Sequence, residues 1–221
     1  MGDILSRKLK IAFVTTTIST IHYRTVSFLL SCATAPNFEL VSYLQEGHTS
    51  AAVGQERILQ KLQHLDYDYV LMVDSDVAPP ADALLKLLAV QRDIVVAPVW
   101  HFDINTEDIH LNIHYTQELD PENRIYKVKD SGVEKICSSS FAVMLLSREV
   151  FKRFREAGES YTTYTPFLPP YFEGRESDNI FFGKAYLLGL DAYVCWDVHD
   201  TVHCRAANLS TRIIEKLRSN L

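Results

Sequence analysis

No stretch of 18 apolar residues occurs in this 221-residue chain, so no transmembrane helix is expected. The opening MGDILSRKLK lacks the apolar centre of a secretory signal peptide. Met1, Gly2 and Ser6 fit the loose myristoylation pattern, but Ile4 and Leu5 are expected to pack locally. Glycine and proline number only 8 each, which excludes collagen-like and low-complexity chains. Cysteine is sparse too. Cys32, Cys137, Cys195 and Cys204 contain no CxxC zinc or redox motif, and small buried side chains with free thiols are the expectation. A reducing, cytoplasmic compartment follows from that usage. Basic runs are missing beyond Arg7, Lys8 and Lys10, and the net charge is -6, so nucleic acid is not an expected partner. No Gly-x-Gly-x-x-Gly follows the first strand and no GxxxxGK[ST] occurs, which argues against a dinucleotide-binding Rossmann enzyme and a P-loop NTPase. The absence of G-x-S-x-G argues against an α/β-hydrolase.

What is present is an ordinary globular composition, 47% hydrophobic and 23% charged, in a length that suits one domain. Residues 10–16 (KIAFVTT) read as a first strand, followed by a helix over 22–33 and an alternating strand over 38–45. Ile58, Leu59, Leu62 and Leu65 share one face of a helix over 53–65. DYVLMV (68–73) is an uninterrupted apolar run of buried, parallel-sheet character. Pro79 and Pro80 open a helix over 81–90, and 93–99 form a further strand. Strand–helix alternation through residue 99 predicts right-handed βαβ units, hence an α/β fold with a mostly parallel sheet. After that the pattern changes. Residues 100–120 are polar, His-rich and irregular, while 124–129 and 134–146 read as strands of a mixed portion. A helix over 147–157 with Ser147 as N-cap, an aromatic loop over 161–172, and a helix over 178–188 closed by Gly189 come next. A strand over 192–196 and a terminal helix over 209–218 finish the chain.

The sharpest chemical feature is Asp74-Ser75-Asp76, where the buried strand ends. Open α/β sheets bind ligands at that edge. Carboxylates bunched there repel unless a cation or protons offset them, and a divalent ion shared with diphosphate oxygens does so. Asp76 is also a plausible turn residue. His203 lies near the end of the last strand and offers a nitrogen ligand to a manganese-class ion, with His199 as its competitor four positions earlier. Asp178 opens a helix beside the aromatic loop. It suits a helix cap, a general base toward an acceptor hydroxyl, or both. Ser138, Ser139 and Ser140 are small residues that permit close approach of a ligand, or else mark a polar edge strand. Trp100, His101 and the aromatic loop that contains Tyr171 offer faces for a sugar, or simply fill the core.

IAFVTTT, then DYDYVLMVDSDVAPPADALLKLL and DIVVAPVW, resemble the nucleotide-sugar-binding half of GT-A glycosyltransferases. ICSSSFAVMLLSREVF and PYFEGRESDNIFFGKAYLLGLDAYVCWDVHDTVHC resemble the acceptor half of small single-domain GT-A enzymes of the kind found in phages and large DNA viruses. The resemblance spans about residues 10–205. It implies one GT-A domain over 1–221, with a nucleotide-sugar half at about 10–99, an acceptor half at about 100–205, and a C-terminal helix in 206–221.

By position, the resemblance makes Asp76 a metal ligand, completed by His203, with Asp74 on the donor ribose or in the metal's surroundings. Ser75 lies between them. Thr15, Thr16 and Thr17 match the loop that holds the nucleobase and ribose, and Arg57 matches an arginine that orients the nucleotide. Ser139 and Ser140 match the small donor-side segment, where the family often has Gly. Asp178 sits where the acidic base lies. The usual Glu-Asp pair is Ser177-Asp178 here, with Glu176 one position back, so either carboxylate fits the role. The implied reaction is Mn²⁺- or Mg²⁺-dependent transfer of a sugar from a nucleoside diphosphate-sugar, by family habit a UDP-sugar, to a carbohydrate or glycoconjugate hydroxyl. Retention and inversion both stay open. A nucleotidyltransferase is the first alternative, although Thr17–Tyr23 has neither the Gly nor the Lys of its usual loop. A non-catalytic carbohydrate-binding protein on the same fold is the second.

Overall fold

The computed structural model describes residues 7–17, 20–47, 51–102, 109–114, 128–168 and 177–204. Its first half runs β1 (Leu9–Thr17), α1 (Tyr23–Thr34), β2 (Phe38–Gly47), α2 (Ala51–Leu62), β3 (Tyr69–Val73), β4 (Val77–Ala78), α3 (Ala83–Ala89) and β5 (Ile94–Val96). The second half runs β6 (Trp100–Phe102), β7 (Ile109–Leu111), β8 (Ile113–His114), β9 (Val133–Ile136), β10 (Ser138–Ser139) and β11 (Val143–Ser147). It continues through α4 (Arg148–Ala157), α5 (Ser177–Leu187), β12 (Ala192–Cys195) and β13 (Val202–His203).

Seven strands form the central sheet in the order β2-β1-β3-β11-β5-β12-β9. The β2–β1, β1–β3 and β5–β12 pairs are parallel, whereas β11 runs against both β3 and β5, and β9 runs against β12. Five strands therefore share one direction, and the fold is α/β with a mostly parallel sheet. Side chains alternate across it with the two-residue strand period. Ala12, Val14, Val70, Met72, Val96 and Leu146 meet α2, α4 and α5 through Ile58, Phe154 and Phe181. Ile11, Phe13, Leu71, Val73, Val95 and Leu145 meet α1 and α3 through Phe28, Leu29 and Leu84. Both faces are covered, which is why these strands read as unbroken apolar runs.

α1 buries Thr25, Phe28, Leu29 and Cys32, one stripe at helical spacing. α4 starts on Ser147, whose hydroxyl accepts from the Glu149 N–H, and ends on Gly158 at φ +66°. That left-handed conformation is one that glycine adopts without steric cost.

Several boundaries differ from the sequence expectation. β1 continues through Thr17, so the three threonines belong to a strand rather than a loop. The parallel ladder with β2 extends as far as Thr17 opposite Gly47. Residues 134–146 are not one strand. β9 pairs with β12, β10 with β8, and β11 enters the centre of the sheet. Local composition does not reveal which partner strand each part of such a stretch takes. α3 starts at Ala83 because a turn, in which Ala83 N–H donates to Pro80 O, intervenes after the prolines. The "irregular" stretch after residue 99 contains short strands, with β6 and β7 paired antiparallel. α5 starts at Ser177, which puts Asp178 inside the first turn instead of at the cap. The expected strand at 124–129 lies outside the described residues except for 128 and 129, which are in no strand, and the expected helix at 209–218 lies entirely outside them.

Candidate functional site

The strands β1, β3 and β5 end at one edge of the sheet, and β11 begins there. The Asp74-Ser75-Asp76 turn leaves β3 at this edge. Its backbone is held on every side. Asp74 N–H donates to Ala142 O at 2.9 Å and Val77 N–H donates back to Asp74 O at 3.1 Å. Ser75 O accepts from His22 N–H at 2.7 Å, and the Thr25 hydroxyl, buried in α1, donates to Val77 O at 2.8 Å. The start of α1 thus clamps the turn, and the three side chains of the turn stay partly exposed.

β4 continues directly from the turn and pairs antiparallel with β13, His203 opposite Val77. Cys204 N–H donates to Asp76 O at 2.5 Å. This ladder brings His203 Nε2 to 3.8 Å from Asp76 Oδ2, across 127 positions of sequence, with the two side chains 24% and 17% exposed. The separation is too long for a hydrogen bond. It suits two ligands of one ion, each about 2.1 Å from it. Oxygen and imidazole ligands together fit a manganese-class ion. Among the described residues no group of three His, Cys, Asp or Glu side chains is arranged to hold a metal. Two protein ligands alone would leave the remaining positions of such an ion to groups from outside the chain. His199 is elsewhere. It is 57% exposed, with Nε2 3.7 Å from Asp200 Oδ2. Cys204 is buried beside the pair; burial pushes its thiol up, Arg24 opposes that shift and the Asp76 carboxylate adds to it.

The serine segment borders the same edge. Val143 pairs with Val73, so Ser140 and Phe141 precede β11 directly across from the Asp-Ser-Asp turn. Ser138 and Ser139 are buried and Ser140 is partly exposed. Phe141 meets Phe181 of α5 edge-on, ring centroids 5.3 Å apart. Asp178 lies three residues before Phe181 and so on the adjoining surface of that helix. Asp178 is partly buried, and the Ser177 hydroxyl lies 3.1 Å from its Oδ1 and 2.7 Å from Gln55 Oε1 of α2.

The other expected residues are distributed as follows. Thr15 is fully buried, its hydroxyl enclosed in the sheet layer. Thr16 and Thr17 continue β1, and His101 lies in β6. Arg57 is on the exposed side of α2. Its neighbours Gln55 and Glu56 make the cross-links: Gln55 to Ser177, and Glu56 Oε2 to the Thr162 N–H at 2.6 Å. Trp100 is half-buried and packs against the core on the α5 side of the sheet. Glu176 and Tyr171 lie outside the described residues. Three residues that sequence reasoning passed over matter to this framework. Asn112 bonds Ser139 and Ser140, Gln55 bonds Ser177, and Lys184, 3% exposed, donates to Ser160 and pairs with Glu159 at 3.0 Å. A lysine in the run NIFFGKAYLL was the one available signal, since a charge in an apolar helix needs a buried partner.

No helix among the described residues is long and apolar enough to cross a membrane. No protein-family model and no curated protein matches the chain. Solved structures do. The chain is similar to A197 from STIV, with 16% identity, coverage of 84% of this chain and 81% of that one, and a TM-score of 0.53. It is similar to CMP:2-keto-3-deoxy-manno-octonic acid synthetase complexed with CTP at 7% identity, covering 96% and 100% of the two chains, TM-score 0.51. It is also similar to 4-diphosphocytidyl-2C-methyl-D-erythritol synthase from Anaerococcus prevotii DSM 20548 at 11% identity, covering 96% and 98%, TM-score 0.50. At these identities the likeness is one of fold: an α/β architecture with a mostly parallel central sheet.

Proposed function

We propose that this protein is a metal-dependent glycosyltransferase that uses a nucleoside diphosphate-sugar, with a UDP-sugar as the first donor to test. The observation that carries the proposal is the Asp76–His203 pair, set at the ligand-binding edge of the sheet by the β4–β13 ladder. Asp76 and His203 would hold a Mn²⁺ or Mg²⁺ ion, with Asp74 beside them. Such an ion, when bound, offsets charge on the departing diphosphate. Ser139 and Ser140 would border the donor from across the sheet edge. Asp178, or Glu176, would take the proton of the acceptor hydroxyl in an inverting reaction. Trp100, His101 and Tyr171 are the proposed contacts for a carbohydrate acceptor.

A nucleotidyltransferase is the second reading. The likeness in fold to two synthases, one of them a complex with CTP, favours it. The two reactions release different products. Incubation with a radiolabelled sugar nucleotide and manganese should yield a free nucleoside diphosphate if a glycosyl group is moved. Pyrophosphate from a nucleoside triphosphate and a sugar phosphate would replace the first reading with the second. Binding without either product would leave a carbohydrate-binding protein. A thermal-shift screen of sugar nucleotides, each with and without manganese, identifies the donor, because a ligand specific to the native state raises the midpoint.

A further inference from the structure

Asn112 stands at the bend between β7 and β8 and is 5% exposed. Its Oδ1 accepts from the Val99 N–H at 2.7 Å, and its own N–H donates to Val99 O at 3.1 Å. A backbone N–H can only donate, so this contact fixes which end of the side-chain amide is oxygen. The Nδ2 end then faces the serine segment. It lies 3.0 Å from Ser139 Oγ and 3.0 Å from Ser140 Oγ, one proton for each.

The consequence falls on Ser140. A hydroxyl has two acceptor positions and one proton. Ser140 Oγ accepts from Asn112 Nδ2 and, over a longer 3.4 Å, from the Ala142 N–H. Both acceptor positions are thereby taken, and the proton is what Ser140 has left to offer. Ser139 is buried, whereas Ser140 is partly exposed at the sheet edge, across from Asp74-Ser75-Asp76. We infer that Asn112 is a positioning residue that makes Ser140 a dedicated hydrogen-bond donor, aimed at an acceptor oxygen of the bound sugar nucleotide. The inference rests on the donor reading given above and adds a polarity to it. The ligand group over Ser140 is an oxygen with lone pairs to give, on the diphosphate or on the sugar.

The experiment measures the affinity of the full chain for UDP and for UDP-glucose, each with manganese. It compares wild type, Ser140→Ala, Asn112→Ala and the double variant, and thermal unfolding of each records stability separately. A hydrogen bond to a charged or strongly polarised oxygen is worth about ten- to hundredfold in affinity, and that is the loss expected for Ser140→Ala. Asn112→Ala frees the hydroxyl to rotate and should cost about three- to tenfold. The double variant should bind like Ser140→Ala alone, because Asn112 acts through that hydroxyl. Losses with both ligands assign the oxygen to the diphosphate; a loss with UDP-glucose alone assigns it to the sugar. Two results overturn the inference: undiminished affinity in Ser140→Ala, or an Asn112→Ala effect of equal size with and without the Ser140 hydroxyl. The second would mean that Asn112 merely supports the local fold. If Asn112→Ala does not fold, Ser140→Ala decides alone. Wild-type protein that binds neither ligand would remove the donor reading, and this inference with it.

Discussion

The two ends of the central sheet treat their carboxylates in opposite ways. At the end where β3 begins, Asp66 pairs with Lys10 at 2.6 Å and Arg148 at 3.1 Å, and Asp68 pairs with Arg7 at 2.6 Å. Asp93 bonds the Ser147 hydroxyl at 2.5 Å, which joins β5 to the start of α4. These are groups whose charge is answered by permanent cations or by a cap. At the end where β3 finishes, Asp76 faces His203 at 3.8 Å instead. Imidazole is a metal ligand and a titratable group, so this pairing can change with what binds. Carboxylates answered by fixed cations serve the fold. A carboxylate set against a histidine, on a turn clamped by α1, is the pair proposed above to hold a metal ion.

That contrast can be broken by experiment, and the expected effects fall in a clear order. The largest belongs to Asp178. Asp178→Asn keeps the shape of the first turn of α5, and loss of a general base costs about 10²–10⁴-fold in turnover. Nucleoside diphosphate release should collapse while donor affinity stays near wild type. Glu176→Gln is the paired control; if it alone abolishes release, Glu176 is the base.

Next comes the metal pair. Asp76→Asn and His203→Ala should each weaken manganese-dependent nucleotide binding by at least about tenfold, as the loss of one ligand does. His199→Ala should leave it unchanged, since that ring lies beside Asp200. Calorimetric titration with and without manganese checks all three, and a loss in His199→Ala with none in His203→Ala reverses the assignment.

A third test concerns support at a distance. Lys184→Met removes the buried ammonium that binds Ser160 and Glu159. The loss of its charge-assisted bonds should cost about 2 kcal/mol in urea unfolding. Manganese-dependent binding should persist, because the lysine supports the loop after α4 rather than the ligand.

The smallest effect is expected at the opposite end of the sheet. The hydrogen bond and charge of Lys10, with help from Arg148, hold the Asp66 carboxyl below its ordinary value of 3.8. A lowered carboxylate stabilises the fold above the ordinary value, and the contribution fades as pH falls through the lowered one. The pair is solvent-exposed, so salt screens it. Asp66→Asn should therefore shift the urea midpoint only slightly at pH 7, less at pH 3, and leave nucleotide binding untouched.

Much of the framework is legible in the chain itself. KIAFVTT and DYVLMV are apolar and β-branched because both faces of their strands are buried, and that pattern is local. Ser147 before REVF is a cap whose partner lies two residues away. The Asp-Ser-Asp turn is visible because it ends an apolar run abruptly. Other features depend on contacts that no local pattern encodes. Residues 134–146 divide into three strands in two sheets, according to which strands come alongside. Thr15 is fully buried, which its polar side chain does not announce. The choice of His203 over His199 follows from the β4–β13 register, which sets one imidazole against Asp76 and leaves the other at the surface.

Sequence alone thus determined most element types up to residue 99, the direction of most of the sheet, and the edge at which Asp74 and Asp76 sit. Each of these follows from side-chain periodicity and from where apolar runs stop. Tertiary structure alone decided that Asn112 and Ser140 meet across 28 positions, and that Gln55 reaches Ser177 across 122. Hydrogen-bond polarity is a property of pairs, and a single buried asparagine in a polar stretch carries no mark of its partners. Only when the chain closes are its one acceptor and two donors assigned, and with them the direction in which Ser140 can give its proton.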